Sequence, residues 1–200
     1  MSVFAVVPVK DLREAKSRLR SILGPEARAT LALRMMDRVL SAVRDAGVED
    51  VSVVSPDRTV LGLASKHGAT PLLQQGRGLN PALEEGRKWA MERGASTLLV
   101  LPADLPLLEP DDVRELLNDT EEESSVAIAP DDARSGTNAL LLRPPDALPF
   151  FFGPDSFEEH LRAAWKRGLG VRIVERPNLA FDLDTRKDLA LLSLPESLRR

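Results

Sequence analysis

The feature that most limits how this chain can fold is an alternation kept up from end to end. Short apolar runs rich in Val and Leu alternate with longer segments of helical spacing. Such a pattern marks an α/β protein, in which helices carry the chain back to begin further strands of a largely parallel sheet. Residues 3–9 are a β-branched run without polar alternation, as suits a central strand covered on both faces. A long helix is predicted over 25–46, with Leu31, Met35, Val39 and Ala42 on one stripe and Arg28, Arg34, Arg38 and Arg44 on the other faces. Gly47 stands where a C-cap would, ahead of a strand over 51–54. Further helices are predicted over 57–67, 81–93, 110–118, 157–167 and 185–192, and strands over 71–73, 97–101, 126–129, 138–142 and 171–174. The expected fold is a mixed, mostly parallel sheet sandwiched by helices, in a single domain over 1–200.

Composition then removes whole classes of function. The hydrophobic share of 43% in 200 residues is enough for one domain with a sizeable core. A net charge of −4 gives neither the basic excess of a nucleic-acid binder nor a disordered acidic tail. With no Cys there is no disulfide framework, thiolate zinc site or cysteine nucleophile, and a reducing cytoplasm fits. The opening MSVFAVVPVK carries its charge after a short apolar run, so it reads as a first strand rather than a signal or a membrane span. A Walker loop, GxGxxG after a strand, GxSxG and HExxH are all missing, which leaves the P-loop, dehydrogenase, serine-hydrolase and zinc-protease templates without support.

In such a sheet ligands bind beyond the carboxyl ends of the strands, so the residues after each predicted strand are the place to search. After the first strand, VPVKDLREAKSRL clusters Lys10, Arg13, Lys16 and Arg18, suited to a polyphosphate and equally at home on a solvated face. In LLVLPADLPLL, Asp104 follows a buried-looking strand between two prolines. It would make half of a Mg²⁺ site, or cap a turn. In AFDLDTRKDL, Asp182 and Asp184 flank Leu183; in extended chain both carboxylates face one way while Leu183 turns to the core, although Asp184 would also serve as a helix N-cap. Asp188 reads as a surface acid of the following helix.

Three further features are less specific. QQGRGLNPALEEG reads first as a glycine-rich turn capped by Asn80, and could also let Gly78 and Leu79 approach a base or ribose. RSGTNALLL and FFGPDSF place hydroxyls and backbone N–H groups where a second, smaller anion would sit, with Ser156 and Glu159 also spaced as a capping box. His67 and His160 read as surface residues on helices, and Trp89 and Trp165 as packing residues.

Six segments, VPVKDLREAKSRL, GLNPALEEG, LPADLPLL, SGTNALLL, FGPDSF and FDLDTRKDL, follow in order over nearly the whole length. Together they resemble the 2-phospholactate guanylyltransferase family, whose bacterial members are described as phosphoenolpyruvate guanylyltransferases of coenzyme F-420 biosynthesis. The wider similarity is to molybdenum-cofactor guanylyltransferases and other Rossmann-like nucleotidyltransferases of the nucleotide-diphospho-sugar transferase, or glycosyltransferase-A, type. The resemblance implies a cytoplasmic enzyme with GTP as donor and Mg²⁺ as cofactor. It implies Lys10, Arg13 and Lys16 at the GTP phosphates, the Gly78, Leu79, Asn80 turn near the guanosine, and Asp104 with Asp182 and Asp184 at the metal. Lys10, Lys16 and Asp104 would be the catalytic set, and Thr137, Gly153 and Ser156 would hold phosphoenolpyruvate or 2-phospho-L-lactate. The loop before GTN reads DDARS, where the family more often has a further glycine or threonine. Alternatives are an enzyme of this fold acting on molybdopterin or a sugar phosphate, whose GGxSxRMG-like loop is missing here, and a nucleotide-binding regulator without turnover. No nucleic-acid or membrane partner is expected; a homodimer is, from the general frequency of symmetric pairs.

Overall fold

The computed structural model describes residues 2–118 and 124–192. Its strands are β1 (Val3–Pro8), β2 (Asp50–Ser55), β3 (Thr70–Leu73), β4 (Thr97–Val100), β5 (Ser125–Pro130), β6 (Thr137–Arg143) and β7 (Gly170–Ile173). The helices are α1 (Pro25–Asp45), α2 (Arg58–Lys66), α3 (Leu79–Met91), α4 (Pro110–Leu117), α5 (Ser156–Lys166), α6 (Pro177–Ala180) and α7 (Arg186–Leu192). All the strands and helices expected from periodicity are present with edges moved by at most two residues. The 3₁₀ turn Ser17–Leu19 and α6 are additions, too short to show a period of their own.

The strands join in one sheet in the order β3-β2-β1-β4-β6-β5-β7. Pairings are parallel except those of β6, which runs against both β4 and β5. Period-two alternation sends each strand's side chains to two separate cores. Ala5, Val7, Val51, Val53, Leu99 and Leu141 meet α1, α2, α4 and α6 on one face. Phe4, Val6, Leu98, Val100, Ile128 and Leu140 meet α3 and α5 on the other. This is the sandwich expected of strands without polar alternation.

Two single-residue expectations need correction. Arg28 is buried rather than solvated, because α1 leans over the loop after β1 and its guanidinium Nη1 donates to the Ala15 carbonyl at 2.7 Å. Trp89 packs edge-on to Phe4 as expected, but Trp165 is 65% exposed. The buried stripe of α5 is Phe157, His160, Leu161 and Ala164, which leaves position 165 facing outward.

Gly86 on α3 marks the closest approach of helix to sheet. A Cβ built there would lie 2.4 Å from Val6 Cγ1 and 3.3 Å from Val54 Cγ2. Gly86→Ala gains helix propensity of about 1 kcal/mol but overpacks this contact at a cost of roughly 1–3 kcal/mol. The variant is expected to unfold at lower urea concentration with an unchanged m-value; a raised midpoint would mean that α3 can ride outward freely.

Candidate active site

The chain leaves β1 toward β2 and β3, then returns to β1's other side as β4, so the sheet has its switch in strand order between β1 and β4. Loops diverge there and open a crevice. A cleft of about 990 Å³ occupies this place, lined among others by Lys10, Lys16, Gly78, Asp104, Thr137 and Asp184.

At one end of the cleft three carboxylates converge. Asp104 follows β4, and its backbone carbonyl accepts a hydrogen bond from Leu183 N at 3.1 Å, which brings the 182–184 segment alongside. Leu183 is buried with Leu19 and Met35 beneath the site. Asp182 and Asp184 both line the cleft, as the two-residue alternation of extended chain requires. One oxygen from each of Asp104, Asp182 and Asp184 lies within 4.8 Å of the others. The cap of α7 is made instead by Thr185 and Asp188. Asp188 Oδ2 accepts from the backbone N of Asp184 and Thr185, and Thr185 Oγ1 accepts from Asp188 N, so Asp188 is a capping residue and the Asp184 carboxylate is left for the cleft.

Two cations reach this cluster. Lys16 Nζ lies 3.1 Å from both Asp104 Oδ2 and Asp184 Oδ1, and Arg18 Nη1 is 2.9 Å from Asp184 Oδ2. The Lys16 side chain is only 7% exposed. Burial works against its charge, but the two carboxylates outweigh that and raise its pKa. Its backbone is left-handed, at φ 46° and ψ 44°, a conformation an L-residue keeps only when its surroundings hold it. Leu19 in the small core and the Arg28 bond to Ala15 do so. Among the described residues no cation forms an ion pair with Asp182. Burial, then the neighbouring Asp104 charge, pushes its carboxyl up to about 6, against the opposing amide of Asn138 at 3.3 Å.

The other end of the cleft bears hydroxyls, with the Asp131 carboxylate at its edge accepting from Ser135 N at 2.8 Å. Because β6 is reversed, it is the start of this strand, Thr137 and Asn138, that meets the carboxyl ends of its neighbours. Thr137 N donates to Ser156 Oγ at 2.9 Å, and Thr137 Oγ1 lies 2.9 Å from His160 Nδ1. Ser156 is the first residue of α5 rather than its N-cap; Asp155, with φ 57°, holds the cap position and makes no side-chain cap bond. The Ser156–Glu159 capping box is therefore not formed, because the Ser156 hydroxyl is turned to Thr137. Gly153, at φ 141°, lines the same end in a backbone conformation that favours glycine. His160 is fully buried, not a surface residue. It sits on the inward stripe of α5 between the Phe151 and Phe152 rings, and burial pushes its pKa down to about 4.

The remaining expected residues divide. Lys10, Gly78 and Leu79 line the cleft. Arg13 does not: it is 89% exposed and paired with Asp11, whose carboxyl its guanidinium pulls down to about 2. Gly78, with φ 101°, is the N-cap of α3, so Asn80 lies inside the helix and does not cap it. Both ends of the Asn80 amide are spent on Phe152, Nδ2 to its carbonyl at 3.1 Å and Oδ1 from its N–H at 3.0 Å. Asn138, unassigned by sequence reasoning although it stands inside the GTN segment, ties the carbonyls of Leu179 and Ala180 to β6 and touches Asp182.

Residues 3–196 match the family described as Guanylyl transferase CofC like. The chain belongs to that family. Among curated relatives, a phosphoenolpyruvate guanylyltransferase of Rubrobacter xylanophilus is 62% identical over 192 residues, covering 96% of this chain and 94% of that protein. Another, from Sphaerobacter thermophilus, is 47% identical over 194 residues, covering 96% and 93%. Among solved structures, a chain from Desulfovibrio desulfuricans G20 described as a nucleotide-diphospho-sugar transferase aligns with a TM-score of 0.78 at 20% identity, covering 100% of this chain and 90% of that one. A nucleotidyl transferase from Methanothermobacter aligns at 0.70 and 17% identity, covering 96% and 95%. At these identities the two structures speak for the fold alone, which is the nucleotide-diphospho-sugar transferase fold expected for the family.

The elevated Asp182 pKa has a consequence for stability. A carboxyl whose folded value, about 6, exceeds its ordinary 3.8 binds its proton more tightly when folded. It therefore favours the fold at low pH, and that contribution is lost as pH rises through about 6. In EDTA, Asp182→Asn is expected to melt above the wild type at about pH 7.5, with the gap narrowing toward about pH 5. A gap independent of pH would contradict the assigned shift.

Proposed function

We propose that this chain is a guanylyltransferase of coenzyme F-420 biosynthesis that transfers GMP from GTP to phosphoenolpyruvate, or to the closely similar 2-phospho-L-lactate, with release of pyrophosphate. The observation that carries this reading is the meeting of Asp104, Asp182, Asp184 and Lys16 at one end of a cleft whose other end presents the Thr137 and Ser156 hydroxyls. The names of the relatives point the same way. Among the described residues no helix is long and apolar enough to cross a membrane.

The donor set fits a divalent cation. Three carboxylates converge, only Lys16 and Arg18 pair with them among the described residues, and the Asp182 carboxyl is held up by burial and by the neighbouring Asp104 charge. Hard oxygen ligands of this kind suit Mg²⁺ together with substrate phosphates. Bound there, Mg²⁺ would supply charge neutralisation and alignment of phosphate oxygens.

The chain's own residues do the rest by placement. A phosphate oxygen of the acceptor attacks the α-phosphorus of GTP in line; a new P–O bond forms, and the bond from the α-phosphorus to the bridging β-phosphate oxygen breaks. The nucleophile is already an anion, so no side chain has to remove a proton. What the reaction needs is orientation and a fixed positive environment, which supply most of the catalysis in phosphoryl-type transfer. Thr137, Gly153 and Ser156 hold the acceptor, while Lys10 and Lys16 stabilise the departing pyrophosphate. The backbone at 78–79 lies beside the nucleoside.

Pyrophosphate release from GTP and phosphoenolpyruvate tests the reading, with ATP and CTP as donor controls and 2-phospho-L-lactate and 3-phospho-D-glycerate as alternative acceptors. No release with any pairing would leave a nucleotide-binding protein without turnover. Asp104→Ala should lower the rate by about 10²-fold or more while circular dichroism and melting remain those of a folded protein. Wild-type turnover in that variant would remove Asp104 from the reaction centre.

A further inference from the structure

We infer that His160 is a positioning residue that locks the Thr137 hydroxyl as a hydrogen-bond donor into the cleft, so that the acceptor end is built for an anionic oxygen. The inference rests on the proposed function for the identity of that ligand, and on the geometry of three side chains for everything else.

His160 Nε2 lies 3.1 Å from the backbone N of Phe151. A backbone N–H can only donate, so Nε2 must carry a lone pair and no proton. The ring is held neutral by this contact alone, and burial beside two phenylalanine rings acts in the same direction. A neutral imidazole without a proton on Nε2 has it on Nδ1. Nδ1–H, 2.9 Å from Thr137 Oγ1, therefore donates to the threonine oxygen and shares its proton with the Ser156 backbone carbonyl, a contact that opposes the effect of burial on the ring. Among the described residues Thr137 Oγ1 has no other hydrogen-bond partner, so its proton is left for the cleft that it lines.

Ser156 is fixed in the same sense by a different partner. Its Oγ accepts from Thr137 N at 2.9 Å, which leaves its hydroxyl proton for the cleft as well. Each hydroxyl thus has one lone pair engaged and its proton left for the cleft. A carboxylate or phosphate oxygen, which can only accept, matches this pair; a ligand hydroxyl offering its proton there would have only the one lone pair remaining on each oxygen. Thr137 and Ser156 are 5% and 1% exposed, so the mismatch would not be relieved easily by water.

The chain has two histidines, and His67 lies apart on the surface beside Asp37, which makes the tautomer directly observable. In ¹⁵N-labelled full-length protein, with His67→Gln used to assign the ring signals, long-range ¹H–¹⁵N correlation between about pH 6 and 8 should show His160 protonated at Nδ1 and bare at Nε2. An Nε2–H tautomer or an imidazolium overturns the inference, whether or not the protein turns over. In kinetics with GTP and phosphoenolpyruvate, His160→Leu should raise KM for phosphoenolpyruvate about tenfold and leave KM for GTP unchanged. His160→Asn, which keeps an N–H near the Nδ1 position, should recover most of that loss. The double variant His160→Leu/Thr137→Val should be no worse than Thr137→Val alone. Equal changes in both KM values, no rescue by Asn, or additive losses would reduce His160 to a packing residue. If the wild type releases no pyrophosphate from these substrates, it is the proposed function that fails, and the tautomer still decides the present point.

Discussion

Because β6 runs against its neighbours on both sides, it meets the carboxyl edge of the sheet with its first residues instead of its last. That reversal decides what the cleft can contain. A parallel strand would bring a loop leaving the sheet; β6 brings Thr137 and Asn138, whose positions are fixed by pairing rather than by loop conformation. Thr137 supplies a hydroxyl to one end of the cleft, and Asn138 reaches across to brace the segment carrying Asp182 at the other. A single strand direction thus serves both ends of the site.

The charged end is costly to assemble, since three carboxylates within a few ångströms repel one another. The local structure tolerates it because apolar anchors lie directly beneath. Leu19 follows Lys16 and Arg18, Leu183 separates two of the acids, and both meet Met35 of α1 in one small buried cluster. Burial of these leucines fixes the backbone, and Lys16 offsets part of the repulsion from a position between Asp104 and Asp184. Asp182 is the acid whose proton is held most firmly, through burial first and the Asp104 charge second. If a cation binds here as proposed, structural stability and readiness for it are set against each other at this one residue.

What could be read from the sequence follows from how local each signal is. Strand and helix periods lie within a few residues of each other, so the elements and the strand-end position of Asp104 were legible. The common facing of Asp182 and Asp184 was legible for the same reason, since it depends only on alternation about Leu183. His160 was missed: its neighbours Glu158, Glu159 and Arg162 give the segment a solvated look, although its spacing from Phe157, Leu161 and Ala164 is that of the inward stripe of α5. Arg28 and Asn138 were missed because their partners are distant backbone carbonyls, which no spacing rule announces. Arg13 errs the other way. It belongs to a cationic motif, yet Asp11 two residues before it captures the guanidinium outside the cleft.

One small contact reaches beyond its own neighbourhood. The Asn80 amide joins α3, which begins at the glycine-rich turn, to the backbone of Phe152, 72 residues on. Because both of its bonds go to the backbone of one residue, the two walls are held at a set separation and a set tilt. The cleft is thereby built like a caliper whose jaws spread only when a matched pair of hydrogen bonds breaks; on the proposed function, acceptor length would be gauged by a residue that need not touch the acceptor at all.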